Sequence, residues 1–66
     1  MIQKFTTKRD RNGNRYTLEI DHDKRRFYPA INSSFSYSDH VTITKRDRQK
    51  LMDQAENAGY CVTIRL

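Results

Sequence analysis

Phe5-Thr6-Thr7-Lys8-Arg9-Asp10-Arg11-Asn12-Gly13-Asn14-Arg15-Tyr16-Thr17-Leu18-Glu19-Ile20 is the stretch whose reading decides the fold. Asn12-Gly13 at its centre is the preferred pair for a two-residue type I′ hairpin, in which both central residues take positive φ. With that turn, Arg11 faces Asn14 and the pairing runs outward. One face then carries Asp10 with Arg15, Lys8 with Thr17, Thr6 with Glu19, and Lys4 with Asp21. This face is polar, with opposite charges opposed at its two ends. The other face carries Arg9 with Tyr16, Thr7 with Leu18, and Phe5 with Ile20, and is the apolar side of a half-buried sheet.

Working outward, Asp21-His22-Asp23-Lys24 interrupts the alternation and reads as the next turn. A third strand follows over Arg25 to Ala30. Pro29 lacks an amide hydrogen, so this strand is an edge at that point or ends there. Asn32-Ser33-Ser34 reads as a loop, and Phe35 and Tyr37 alternate with serines as a further short strand. Asp39-His40 then turns into Val41-Thr42-Ile43. Thr44 is an N-cap, with Asp47 three residues on as its capping-box partner. The spacing predicts a helix over Lys45 to Ala58 with Gly59 as its left-handed cap. Its apolar stripe is Leu51, Ala55 and Ala58, flanked by Met52. Tyr60 to Leu66 closes the chain as a strand, with Tyr60, Val62, Ile64 and Leu66 on one face and Cys61, Thr63 and Arg65 on the other. The expected fold is α+β, an antiparallel sheet of four to five strands with one helix in the order β-β-β-β-α-β.

Sixty-six residues make a single domain, residues 1–66, near the lower size limit for an independent core. Domains this small usually need a staple. Cys61 is the one cysteine, so an intramolecular disulfide and a cysteine-built zinc site are both excluded. His22 and His40 lack metal-ligand spacing, and no metal site is expected. Self-association is the remaining support, as a dimer or tetramer. The terminal strand offers Tyr60, Val62, Ile64 and Leu66 as a sheet edge for it, and the helix offers Leu51 and Met52. No apolar run reaches membrane-spanning length, Met1-Ile2-Gln3-Lys4 carries no signal-peptide core, and a lone thiol suits a reducing compartment. The expectation is a cytoplasmic protein with no membrane partner.

Thirteen Lys and Arg against eight Asp and Glu leave a net charge of +5, a bias toward polyanions. The cations fall into three clusters: Lys8, Arg9, Arg11 and Arg15 at the hairpin; Lys24, Arg25 and Arg26; and Lys45, Arg46 and Arg48 at the helix start. With Lys50, the last cluster opposes the helix macrodipole. Lys24, Arg26 and Tyr28 share one strand face, and a cation beside an exposed tyrosine suits single-stranded nucleic acid. Phe27, Phe35 and Tyr37 read as core residues, with Tyr37 the alternative second stacking platform. Catalytic residues cannot be assigned from the sequence. The candidates are Asp21 and Asp23, flanking His22, and Asp10 beside the basic hairpin tip, each also ordinary turn chemistry. Cys61 has no histidine nearby in sequence, and Ser33, Ser34, Ser36 and Ser38 read as loop and strand-face residues, so nucleophilic chemistry has little support.

Val41-Thr42-Ile43-Thr44-Lys45-Arg46-Asp47-Arg48-Gln49-Lys50-Leu51, preceded by the Asn12-Gly13 hairpin and the Arg25–Tyr28 strand, resembles the single-stranded-DNA-binding fold of the transcriptional coactivator family known as positive cofactor four. The resemblance covers residues 1–58 and implies a curved antiparallel sheet, a capped helix and pairing of two copies through their helices. The strand from Tyr60 onward departs from that family. Small basic proteins of phages and mobile elements with a similar fold include some that counter host CRISPR–Cas9 defence, among them by nicking supercoiled DNA. The resemblance therefore implies a DNA partner in a bacterial cytoplasm, anti-CRISPR activity, and, for a nickase, Mg²⁺ as the one cofactor. The alternative is a protein-interaction module that inhibits a defence protein directly.

Overall fold

The structure, a computed structural model, describes residues 1–32 and 40–64. Five strands and one helix follow in the order β1 (Ile2–Thr6), β2 (Tyr16–Asp21), β3 (Arg26–Ile31), β4 (His40–Thr42), α1 (Lys45–Asn57) and β5 (Cys61–Val62). The expected strand at Phe35–Tyr37, the Ser33-Ser34 loop and Leu66 lie outside the described residues. Across the sheet the strands run β4-β1-β2-β3-β5. The central three form an antiparallel meander, while β4 lies parallel to β1 and β5 parallel to β3. The sheet is thus mixed rather than antiparallel. Its parallel edges follow from the helix, because the chain must cross from β4 at one edge to β5 at the other. That crossing spans four strand spacings, about 19 Å, and a 13-residue helix is about 20 Å long.

The first turn is not type I′. Gly13 alone takes positive φ, at 80°, and its amide donates to the Asp10 carbonyl at 3.0 Å. Asp10 closes the loop from within, its Oδ1 accepting from the Asn12 and Asn14 amides, both at 2.9 Å. These bonds define a turn with Asp at its first position and Gly at its fourth, followed by a bulge. The register is accordingly two residues away from the expected one: Lys4 pairs with Glu19, Phe5 with Leu18 and Thr6 with Thr17. A slip of two keeps every side chain on its face. On the face expected to be wet, however, Thr6, Thr17 and Asp21 are buried. Thr6 and Thr17 lie in the row Thr42–Thr6–Thr17–Ala30.

At the second turn Asp21 Oδ1 accepts from the amides of Asp23 and Lys24 at 3.0 and 3.1 Å, and Arg25 adopts φ 55°. The third strand therefore starts at Arg26, one residue later than expected. Pro29 pairs with Leu18, but β5 has ended by then, since it engages only Arg26 and Phe27. The missing donor thus falls where β3 has no neighbour on that side among the described residues.

Thr44 caps α1, its side chain accepting from the Asp47 amide at 3.1 Å. The helix ends in a Schellman motif: Tyr60 N–H donates to the Ala55 carbonyl and Gly59 N–H to that of Glu56, with Gly59 at φ 89°. The core consists of Leu18, Ile20, Phe27 and Ala55, with Phe5, Leu51, Met52 and Tyr60 packed around it. Ala58, expected on the apolar stripe, is the exposed C-cap. The stripe runs instead through Arg48, Leu51, Met52 and Ala55. Phe27 is 1 % exposed at the centre of this core. Phe27→Ala is expected to cost about 3–5 kcal/mol, most of the total stability of a domain this small. Urea unfolding followed by circular dichroism will measure the loss.

Candidate phosphate-facing surface

The helix crosses the sheet diagonally, so its two ends meet different turns. At its start, Lys45 Nζ pairs with Asp10 Oδ2 at 3.1 Å and sits 4.3 Å from the centre of the Tyr16 ring. The Tyr16 hydroxyl donates to the same Asp10 oxygen at 3.2 Å. Arg48 lies over Tyr16 at 5.7 Å, and its Nε donates to the Thr17 carbonyl at 3.1 Å. The first turn of the helix is thereby fastened to the hairpin. Hydrogen bonds to the ionised form, first from the Asn14 amide and also from Lys45, the Asn12 amide and Tyr16, lower Asp10 from its ordinary 3.8 to about 2. The hydrogen bond to Asp10 raises Lys45. Burial lowers Arg48.

Two grooves open beside this junction. One, of about 400 Å³, is lined by Thr7, Lys8, Thr42, Thr44, Lys45 and Asp47 among others. The second, of about 270 Å³, is lined by Thr6, Thr7, Lys8, Arg15, His40 and Thr42. Thr7, Lys8 and Thr42 border both. Arg9 donates to the Gly13 carbonyl at 3.0 Å from the hairpin tip, where Arg11 is exposed, and Arg46 is exposed in the first helical turn. The hairpin and helix-start clusters therefore share one end of the sheet. Among the described residues there, seven cations (Lys8, Arg9, Arg11, Arg15, Lys45, Arg46 and Arg48) stand with two carboxylates, Asp10 and Asp47. Among the described residues, Lys45 with Asp10 is the one ion pair between a Lys or Arg side chain and a carboxylate.

The third cluster is elsewhere. Lys24, Arg25 and Arg26 lie at the opposite end of the sheet, by the helix C-terminus. Arg25 donates to the Ala58 carbonyl and lies 5.2 Å from the Tyr60 ring centre, so its charge caps the helix. His22 accompanies it, with Nδ1 2.8 Å from the Tyr60 hydroxyl and Nε2 2.7 Å from Gln3 Oε1. Tyr28 is half-buried on the sheet face away from the helix, on the same side of β3 as Arg26. Tyr37 lies outside the described residues.

The carboxylates considered for chemistry all hold structure. Asp10 organises the first turn and Asp21 the second, where the Lys24 amide leads in lowering its pKa. Asp23 pairs with the Met1 ammonium. Among the described residues no three His, Cys, Asp or Glu side chains are grouped to hold a metal ion. Of the residues expected at an oligomer contact, Leu51, Met52 and Tyr60 pack on the chain's own core, while Val62 and Ile64 are exposed. Among the described residues no helix is long and apolar enough to cross a membrane. The pairing of Arg48 with Tyr16 is not foreseen by the sequence reading. The signal available for it is the helical spacing of Arg48 to Leu51, Met52 and Ala55. No family model, curated protein or solved structure matches this chain.

Two predictions separate scaffold cations from surface ones. Arg25→Ala and Arg48→Ala are each expected to destabilise the domain by about 1–2 kcal/mol through lost hydrogen bonds to carbonyls. Arg11→Ala and Arg46→Ala should stay within about 0.5 kcal/mol, as read from thermal and urea unfolding. Because the folded-state pKa of Asp10 lies below its ordinary 3.8, its stabilisation is complete above that value and is lost as pH falls toward about 2. Asp10→Asn should therefore flatten the fall in Tm across that window while lowering Tm at neutral pH.

Proposed function

We propose that this protein binds the phosphate backbone of nucleic acid, single-stranded or locally distorted DNA foremost, with the hairpin end of its sheet. The observation that carries the reading is that Lys8, Arg15 and Lys45 line the two grooves while Arg9, Arg11 and Arg46 stand at the same end of the sheet, where the described carboxylates are Asp10 and Asp47. Clustered cations release condensed counterions from a polyanion, and that release drives sequence-independent affinity. The grooves suit a flexible single strand, whose backbone can bend around Lys8 from one groove into the other. Aromatic stacking plays a minor part in this reading, because Arg48 and Lys45 already lie over Tyr16, and Arg25 over Tyr60. Binding is therefore expected to be electrostatic and nearly indifferent to base sequence.

The test is fluorescence anisotropy with a labelled single-stranded oligonucleotide across a salt series. Log affinity should fall with log salt at about −0.7 per phosphate neutralised. Lys8→Ala with Arg46→Ala should weaken binding to all sequences alike and flatten the slope by about 0.7 for each phosphate no longer neutralised. Lys24→Ala with Arg26→Ala, at the far end of the sheet, should leave both unchanged. Absence of binding at low salt, or equal losses in the two double variants, refutes the assignment.

A further inference from the structure

β5 is an outer strand of the sheet, and its hydrogen bonds fix which of its backbone groups face outward. Cys61 N–H donates to the Arg25 carbonyl at 3.0 Å and Thr63 N–H to that of Phe27 at 2.9 Å. In a parallel ladder alternate residues turn their N–H and C=O to the same neighbour. The backbone groups of Val62 and Ile64 therefore face away from β3, as a template for another strand. Their side chains are exposed as well, at 50 % and 63 %, and lie on the face that carries Phe27.

The charge beside this edge selects its partner. Arg26 pairs with Cys61 in register and is exposed on the other face, next to exposed Lys24. Cys61 is small enough for the Arg26 side chain to reach over it toward an added strand, two spacings or about 10 Å away. The carboxylates of this turn do not compete: Asp21 is buried against the turn amides and Asp23 pairs with the Met1 ammonium. A second copy of the chain would set the same cations against each other.

We infer that the β5 edge takes up an extended acidic segment of a partner protein as a sixth strand, with aliphatic side chains over Val62 and Ile64 and carboxylates facing Arg26 and Lys24. Backbone hydrogen bonds supply the affinity and the alternating pattern the specificity. This surface lies at the opposite end of the helix from the one proposed for nucleic acid, and it does not rest on that reading.

The probe is a synthetic peptide of alternating valine and glutamate, compared with its valine–lysine counterpart, titrated into ¹⁵N-labelled protein. The glutamate peptide should shift the Val62 and Ile64 amide resonances and slow their hydrogen exchange, and the lysine peptide should not. Arg26→Glu should weaken the glutamate peptide about fivefold or more. Val62→Pro removes one outward donor while sparing the Cys61 and Thr63 bonds, and should abolish binding with spectral dispersion retained. If that variant unfolds, Arg26→Glu still decides the matter. Equal binding of both peptides, no response at Val62 and Ile64, or concentration-dependent protection of these amides without peptide would each overturn the inference, the last by showing a second copy on the edge.

Discussion

A core of Leu18, Ile20, Phe27 and Ala55 takes only one buried residue from the helix, so apolar contact alone holds the helix weakly to the sheet. Polar anchors at its two ends make up the difference. At the start, Lys45 and Arg48 lie over Tyr16, Asp10 ties Lys45 to the first turn, and Arg48 bonds a strand carbonyl. At the finish, Arg25 bonds the Ala58 carbonyl and lies over Tyr60, whose own amide closes the Schellman motif. The cations at the helix start oppose the macrodipole, yet the ring of Tyr16 and the carboxylate of Asp10 stabilise two of them in place.

Arginine suits this work because its long stem covers apolar surface while its planar head satisfies carbonyls. A small domain that uses arginines to complete its packing has fewer of them for a ligand. The positive charge here accordingly divides into two populations. Arg25 and Arg48 belong to the scaffold, and Lys45 stands between. Lys8, Arg11 and Arg46 have no carboxylate partner among the described residues, and the first two border or extend from the hairpin that the scaffold cations hold in position.

This division explains which features are legible in the sequence. Alternation places Phe5, Leu18 and Ile20 on the core face, and because the register differs by an even number of residues, the faces survive the difference. Thr44, Asp47 and Gly59 announce the helix, since capping is local chemistry between residues a few positions apart. The turn type is not legible from Asn12-Gly13 alone, because Asp10, two residues before that pair, competes for the Asn12 and Asn14 amides and closes a longer loop. The parallel edges are also hidden: a strand's own pattern does not name its neighbour. Arg25 resembles a ligand-facing residue in the sequence because its partner carbonyl, 33 residues away, leaves no local mark. Leu51, Met52 and Tyr60 resemble a subunit interface because the chain looks too short of core, which is where they pack.

The same geometry makes the two ends of the molecule electrostatically independent. The helix holds them about 20 Å apart, more than twice the screening length of about 8 Å at physiological ionic strength. A polyanion drawn to Lys8 and Arg46 would therefore change little at Arg26, and a strand added beside β5 would change little at the grooves. Coupling would have to pass mechanically through the helix, whose anchors at Tyr16 and Tyr60 hold its ends against different turns. A ligand that drew Lys45 away from Asp10 would loosen the helix start first, well before it disturbed the Schellman motif and the strand that follows it.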